Sequence, residues 1–492
     1  MNYQNIIKDG QIIAKWHNET ERMELAQLYL DIYRGVYKDI INDLIIDQLD
    51  IREASELIKY VESEGATERL IKDICLIYAE EPDIRIQKKV KKETVDDETF
   101  QEAFDELIES SNLSVVLDNI NQLTKLLRDC PVLPQVRNGK VELDIITPEK
   151  CFVEQDPDNP KEAIKFYYQV GVLEDSPGRV NPINQYHYWD ISSGKAKKYY
   201  CEISIDALGK FVINPDSVVE LNAPVYDEMP VVMFRDYLPD DSFWYKGNSA
   251  IVDKAIAIDM RRTDLAMAEA YNIPQLVTKG MDTEHFNEIK RGRVFRINIP
   301  PNSQSELGDA SFINPSEKLQ ELWELIKERY KSLALSKGLS ESSISGSAAT
   351  SGYHLALSKA DILYANKRER KYYRQPTKKL LRIILLTAQE ASLYNFPKDP
   401  IFSIDFGEIE FPQSDEEREK TWAMKFSNGT ANLIDYEMDH NPDLTREEAI
   451  EVIKQRKEED KMFAPENPFK GKPGEEENQE GEDDGNKESN NG

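Results

Sequence analysis

The sequence predicts an α+β protein. Hydrophobic residues recur at helical spacing through residues 1–128 and again beyond Gly247, whereas between Pro131 and Phe234 their period falls to two. The strand-like runs are short and separated by tight-turn signals. Asn138-Gly139, between Gln135-Val136-Arg137 and the run 141–145, is a strong two-residue hairpin signal, so the β-rich block should be antiparallel.

In chain order, Leu25, Leu28, Tyr29, Ile32, Tyr33 and Val36 form one core-facing helical set, and Leu70, Ile71, Ile74, Cys75, Ile77 and Tyr78 form another, whose helix should stop at Pro82. The charged run 88–98 reads as a solvated loop. Phe104, Leu107 and Ile108, then Leu113, Val116, Leu117, Ile120, Leu123 and Leu127, resume helical packing. Further strands are expected at 164–168, 198–203 and 211–213. Tyr186, His187, Tyr188 and Trp189 have the side chains for stacking on bases, but their place in an alternating strand assigns them to packing.

Gly247-Asn248-Ser249 should start a helix carried by Ile251, Ala255, Ile258, Leu265 and Ala266 to Asn272-Ile273-Pro274. Lys254, Arg261 and Arg262 lie along it, on a face that either meets phosphate or is simply solvated or ion-paired to a neighbouring subunit. Residues 273–314 read as a compact insertion: strand 275–278, helix 283–290, strand 294–299 and a turn at 300–303. Asn314-Pro315-Ser316 begins a second helix, with Leu319, Leu322, Trp323, Ile326, Tyr330 and Leu333 at helical spacing and a stop at Lys337-Gly338. Residues 338–352 are rich in Ser, Gly and Ala and keep no period, which marks a loop. The helical pattern then runs from Tyr353 through Ile362, Leu380 and Ile384 to Tyr394, and Pro376 should kink rather than end it. A helix of roughly forty residues spans about 60 Å. One strand is expected at 401–406, and acidic helices with a capping-box start at Ser414-Asp415-Glu416-Glu417 follow. From Ala464 the composition collapses to Pro, Gly, Glu, Asn and Lys, which predicts a disordered acidic tail.

The formal net charge of −29 over 492 residues argues against tight nucleic-acid binding along the whole surface. On charge alone it fits first an acidic, soluble bacterial protein with no interest in DNA, and second a wall past which DNA slides without being trapped. No apolar run approaches a membrane span, and the N-terminus has no secretory layout, so a cytoplasmic protein is expected. Cys75, Cys130, Cys151 and Cys201 are far apart and read as buried free thiols. Neither a GxxxxGK[ST] phosphate cradle nor HExxH or GxSxG occurs, so no catalytic residue, metal site or cofactor is expected.

The succession of helix, Ser/Gly loop, long helix interrupted by Pro376, strand 404–406 and acidic helical C-terminal segment resembles the portal proteins of tailed bacteriophages, notably those of phages infecting Gram-positive hosts. The resemblance implies a wing (1–237, helical then β-rich), a first stem helix (238–272), a clip (273–314), a second stem helix (315–337), a tunnel loop (338–352), a long wing helix with its returning strand (353–412), a crown (413–463) and the tail (464–492). It implies a homo-oligomeric ring of about twelve subunits at one capsid vertex, with double-stranded DNA passing non-specifically through its channel. Terminase, a head-completion or adaptor protein, the major capsid protein and scaffolding protein would be its partners, and the virion its location, after assembly in the host cytoplasm. Ser340, Glu341, Ser342, Ser343, Ser345, Gly346, Ser347, Thr350 and Ser351 would then line the tunnel loop, and Lys254, Arg261 and Arg262 would be candidate channel contacts. Lys290, Arg291 and Arg293 would form the clip docking surface, and Leu319, Trp323, Ile326 and Tyr330 the stem assembly face. The rival from another class is a nucleic-acid-processing enzyme of phage or host.

Overall fold

The computed structural model describes residues 3–463 except 4, 9–10, 50–53, 56, 64, 91–92, 174–182, 206–210, 272–274, 280–295, 300–308, 314–318, 340–351, 398–399, 408–414 and 442–444, and it gives no side-chain environment for 270–318 or 340–361. The chain is mixed helix and strand and divides into two compact units, Met1–Phe411 and Pro412–Gly492.

The first unit opens with a short hairpin, β1 (Ile7–Lys8) and β2 (Gln11–Ile12), then helices α1 (Glu19–Tyr33), α2 (Lys38–Gln48) and α3 (Ala66–Ile74). Asn18 caps α1 by accepting the Glu21 N–H at 2.8 Å. Leu25, Leu28, Tyr29 and Ile32 are buried as their spacing requires, whereas Val36 lies past the helix end and is exposed. The helix of the second apolar set is shorter than expected and ends at Ile74, well before Pro82. The cause comes from far along the chain: Asn366 donates to the Ile74 carbonyl at 3.3 Å and accepts from Leu76 N at 3.2 Å, satisfying two backbone groups at the helix end.

The run 88–98 is not a loop. β3 (Asp83–Val90) and β4 (Glu93–Asp96) form a hairpin, and β17 (Ile401–Asp405) pairs antiparallel on the other edge of β3, placing Phe402 opposite Ile86 and Ile404 opposite Ile84. Three of the charges that suggested a loop have partners: Asp96 meets Arg85 of β3 across the hairpin at 3.3 Å, and Lys88 reaches Asp97, just past β4, at 2.9 Å. Helices α4 (Glu98–Ser110) and α5 (Leu113–Leu127) follow.

The β-rich block comprises two sheets. β5 (Asp129–Arg137) and β6 (Lys140–Ile145) close the expected hairpin, with Asn138 and Gly139 both at positive φ, and β13 (Val232–Arg235) adds to the other edge of β5. The larger sheet runs β11 (Phe211–Ile213), β10 (Lys197–Ile205), β9 (Ile183–Asp190), β8 (Ala163–Leu173), β7 (Cys151–Gln155), with β12 (Val219–Glu220) also on β10. All its pairings are antiparallel. Tyr186, Tyr188 and Trp189 are buried on β9, and Tyr188 stacks between Tyr167 and Tyr199 at centroid distances of 4.7 and 5.0 Å. These rings pack the protein's own sheet. The four cysteines are buried free thiols.

Helix α6 (Ala250–Tyr271) is followed by a three-stranded sheet in which β14 (Gln275–Lys279) runs parallel to β15 (Arg296–Ile299) and antiparallel to β16 (Asp309–Ile313), a strand the sequence did not announce. The helix expected at 283–290 lies outside the described residues. α7 (Leu319–Leu335) and α8 (Gly352–Glu390) follow. α8 has 39 residues and continues through Pro376. Tyr373, Leu380, Leu381, Ile383, Ile384 and Ala388 on it are fully buried in the main core. Arg370 of α8 donates to the carbonyls of Phe406 and Gly407 at 3.1 and 2.6 Å, which fixes the end of β17 against this helix.

The second unit contains α9 (Asp415–Ser427), α10 (Leu433–His440) and α11 (Arg446–Phe463). Asn432 and Asp435 form a capping box at the start of α10, and Thr445 with Glu448 caps α11 reciprocally. Trp422 is the buried centre, with Tyr436 edge-on to its ring at 5.3 Å and its indole N–H donating to Asp439. The capping signal expected at Ser414 and the tail from Ala464 lie outside the described residues.

Candidate functional site

Helices α6 and α7 flank the three-stranded sheet in sequence and lie antiparallel. Leu265 and Ala266, late in α6, share a recess with Leu319 and Trp323, early in α7; Ala257 and Ile258 share another with Ser332 and Leu333. Their apolar spacing explains this pairing, because each helix turns one stripe to the other. Ile326 is buried in the main core, and Leu319, Trp323 and Tyr330 are half-buried against it. The four expected assembly residues thus pack onto the fold of their own chain. The large apolar side chains that α7 leaves outside are Leu322, Leu325 and Leu335, which are 36, 46 and 48% exposed.

The three cations of α6 have different surroundings. Arg262 lies over the Trp323 ring, 5.2 Å from its centroid, with Glu62 at 3.8 Å. Arg261 is exposed and bridges Asp264 at 2.9 Å, while Lys254 is exposed and makes no ion pair among the described residues. Lys290, Arg291 and Arg293 lie outside the described residues, as do 340–351 with every expected tunnel-loop residue. The flanks of that loop are described. α7 stops where Gly338 takes φ +84°, with Leu339 N–H turned back to the Ala334 carbonyl at 3.1 Å, and α8 begins at Gly352.

The starts and ends of these helices meet a polar cluster that sequence reasoning missed. Arg128, in the left-handed region at φ +72°, ends α5 and turns Asp129 into the core. Asp129 accepts from Arg235 Nε and Tyr237 OH at 2.8 Å and from Tyr245 N–H at 2.9 Å. Beside it, Asp236 Oδ2 lies 3.0 Å from Arg128 and 3.5 Å from Lys125, whose Nζ also meets Glu369 at 2.5 Å. Lys125, Arg128, Asp236 and Glu369, with residues 249–251 at the start of α6 and residues 336–338 after α7, line a cavity of about 500 Å³; Asp129, Arg235 and Tyr237 lie behind this lining. Lys337 is half-buried there without an ion-pair partner among the described residues. Burial pushes its pKa down, and the nearby charges of Lys125, Arg128 and Lys254 push the same way. The cluster draws on segments more than 240 residues apart, and its one local trace is the three-residue spacing of Lys125 and Arg128 on a helix end.

Among the described residues no group of histidine, cysteine and acidic side chains could hold a metal ion, and no helix is long and apolar enough to cross a membrane. No family model matches the chain, and no curated protein matches it.

Proposed function

We propose that this chain is the portal subunit of a tailed bacteriophage: a ring of about twelve copies at one capsid vertex, through which DNA is packaged and ejected. The observation that carries the reading is one of order. Two antiparallel helices bracket a small three-stranded sheet, and a 39-residue helix then returns the chain to a strand that pairs beside β3, near the N-terminal helices. A long return helix of this kind lets one chain present an insertion at one end of a helix pair while its two halves share a core. The acidic balance supports passage of DNA over its capture. Leu322, Leu325 and Leu335 are apolar surface on α7 that a neighbouring copy would cover, in a heterologous contact that closes into a ring. The sheet between α6 and α7 would be the clip that meets terminase and the head-completion protein.

Electron microscopy of the purified full chain, averaged without imposed symmetry, tests this. Rings of about twelve copies around an open channel are expected. A monomer that turns over nucleotide or cleaves DNA would overturn the reading in favour of a processing enzyme.

A further inference from the structure

The cavity at the foot of α6 and α7 has an unusual balance of unmet hydrogen-bonding groups. Its charged lining is three cations, Lys125, Arg128 and Lys337, against two carboxylates, Asp236 and Glu369. The carboxylates are already engaged by Lys125 and Arg128, which leaves the Lys337 ammonium as surplus positive charge. The first turn of α6, a 22-residue helix, also borders the space, and its leading N–H groups have no intrahelical acceptors. Three buried atoms of the lining residues stay unsatisfied: Arg128 Nε, a donor without an acceptor, and two acceptors without a donor, Asn248 Oδ1 and Asp236 Oδ1, the latter on a side chain only 4% exposed. A ligand that completes this lining must be an anion, must accept hydrogen bonds, and must also donate one.

We infer that this cavity is a binding site for inorganic hydrogen phosphate, held by Arg128, Lys337 and the α6 N-terminus, with its P–OH donated to Asp236. Hydrogen phosphate has all three properties. Sulfate, fully ionised at neutral pH, has no proton to give, and it would face the Asp236 carboxylate with lone pair against lone pair. A phosphomonoester loses its own P–OH above pH about 6 and then meets the same obstacle. The site therefore reads the proton as well as the charge, because a buried acceptor left without a donor keeps its desolvation penalty. The inference is independent of the portal reading, since every group in it belongs to one subunit.

The test is calorimetric titration of the full chain at pH 7.5 and constant ionic strength with inorganic phosphate, sulfate and phenyl phosphate. Saturable binding of phosphate is expected, with sulfate and phenyl phosphate weaker by about tenfold or more. Lys337→Met should weaken phosphate binding by about tenfold, and Asp236→Asn, which can donate as well as accept, should narrow the gap between phosphate and sulfate. Should Lys337→Met fail to fold, Lys337→Gln and the wild-type ranking of the three anions still decide. Equal affinity for phosphate and sulfate, phosphate binding unchanged in the Lys337 variant, or no saturable binding would each overturn the inference.

Discussion

The guanidinium of Arg262 on α6 lies over the indole of Trp323 on α7, 5.2 Å from the ring centroid, and the Lys327 ammonium approaches the same ring at 5.2 Å. Trp323 is therefore a half-buried strut between two helices with cations at its surface. A carboxylate placed there would meet Arg262 and Lys327 and would not be stranded. Removing the ring is the sharper perturbation: Trp323→Ala should lower stability by roughly 1–3 kcal/mol through lost packing and cation–π attraction. Urea denaturation of the variant checks this, and Arg262→Met in the Trp323→Ala background should then cost less than it does alone.

The ring reading assigns the outer leucines of α7 a different role from the inner ones. Leu325 is 46% exposed, so Leu325→Glu should change the stability of the subunit by no more than about 0.5 kcal/mol. In a ring the same side chain would be covered by a neighbour, where a carboxylate without a partner is costly. Size-exclusion chromatography with light scattering should therefore show a folded monomer where the wild type forms rings. Rings of normal size from this variant would exclude Leu325 from the subunit interface.

Asp129 is buried and accepts three hydrogen bonds, from Arg235, Tyr237 and the Tyr245 backbone. Asp129→Ala leaves the guanidinium of Arg235, itself only 14% exposed, without its counter-charge and leaves two further donors without an acceptor. A loss of about 3–5 kcal/mol is expected in chemical denaturation. Asp129→Asn, which keeps an acceptor oxygen, should cost less.

These contacts show where the sequence was legible and where it was not. Helices whose apolar residues recur at helical spacing, such as α1, α5, α6 and α7, and the hairpin at Asn138-Gly139 could be read locally, because period and turn chemistry are local properties. The hairpin of β3 and β4 was hidden because its charges, Arg85 with Asp83 and Asp96 and Lys88 with Asp97, look solvated until the partner strand is known. The early end of α3 depends on Asn366, some 290 residues away. Asp236 and Glu369 belong to the same category: each stands beside cations in sequence, Arg235 for the one and Arg368 and Arg370 for the other, yet the cations they meet in the cavity are Lys125 and Arg128 from far along the chain. The candidate assembly residues were legible as an apolar stripe, but a stripe does not say whether it faces its own core or another copy.

His187 offers a test of the larger sheet by pH. Burial lowers its pKa to about 4, with the Lys198 charge adding to the shift, and its ring lies edge-on to Tyr168 and Tyr200. The unfolded chain takes up this proton near pH 6.5, whereas the folded chain resists until about pH 4. The histidine's contribution is thus fully present above pH 6.5 and is lost as the pH falls through that window. With the ring partly exposed, about 1–2 kcal/mol is the expected size. His187→Phe should reduce the fall in stability between pH 7 and pH 4.5 by that amount, as read from urea midpoints at the two pH values.

The last expectation concerns the loop between α7 and α8, in the portal reading the segment that approaches DNA at the narrowest part of the channel. Gly338 stops α7 at φ +84° and α8 resumes at Gly352, so the connection is longer than two packed helices require. Apart from Leu339 and Ile344 its composition is serine, glycine, alanine and threonine, with Glu341 its one charged residue and no cation. A ring of such loops can surround DNA without the counterion-release affinity that lysines confer. Replacing Ser342, Ser345 and Ser347 together by lysine would add three cations per subunit at that place. Rings should still form, and DNA translocation should slow at low salt and recover as salt rises, because the attraction to phosphate is screened over about 10 Å at 0.1 M ionic strength. A simple helix connector away from the channel would show neither the slowing nor its salt dependence, so packaging at the unmodified rate in low salt would remove the loop from the DNA path.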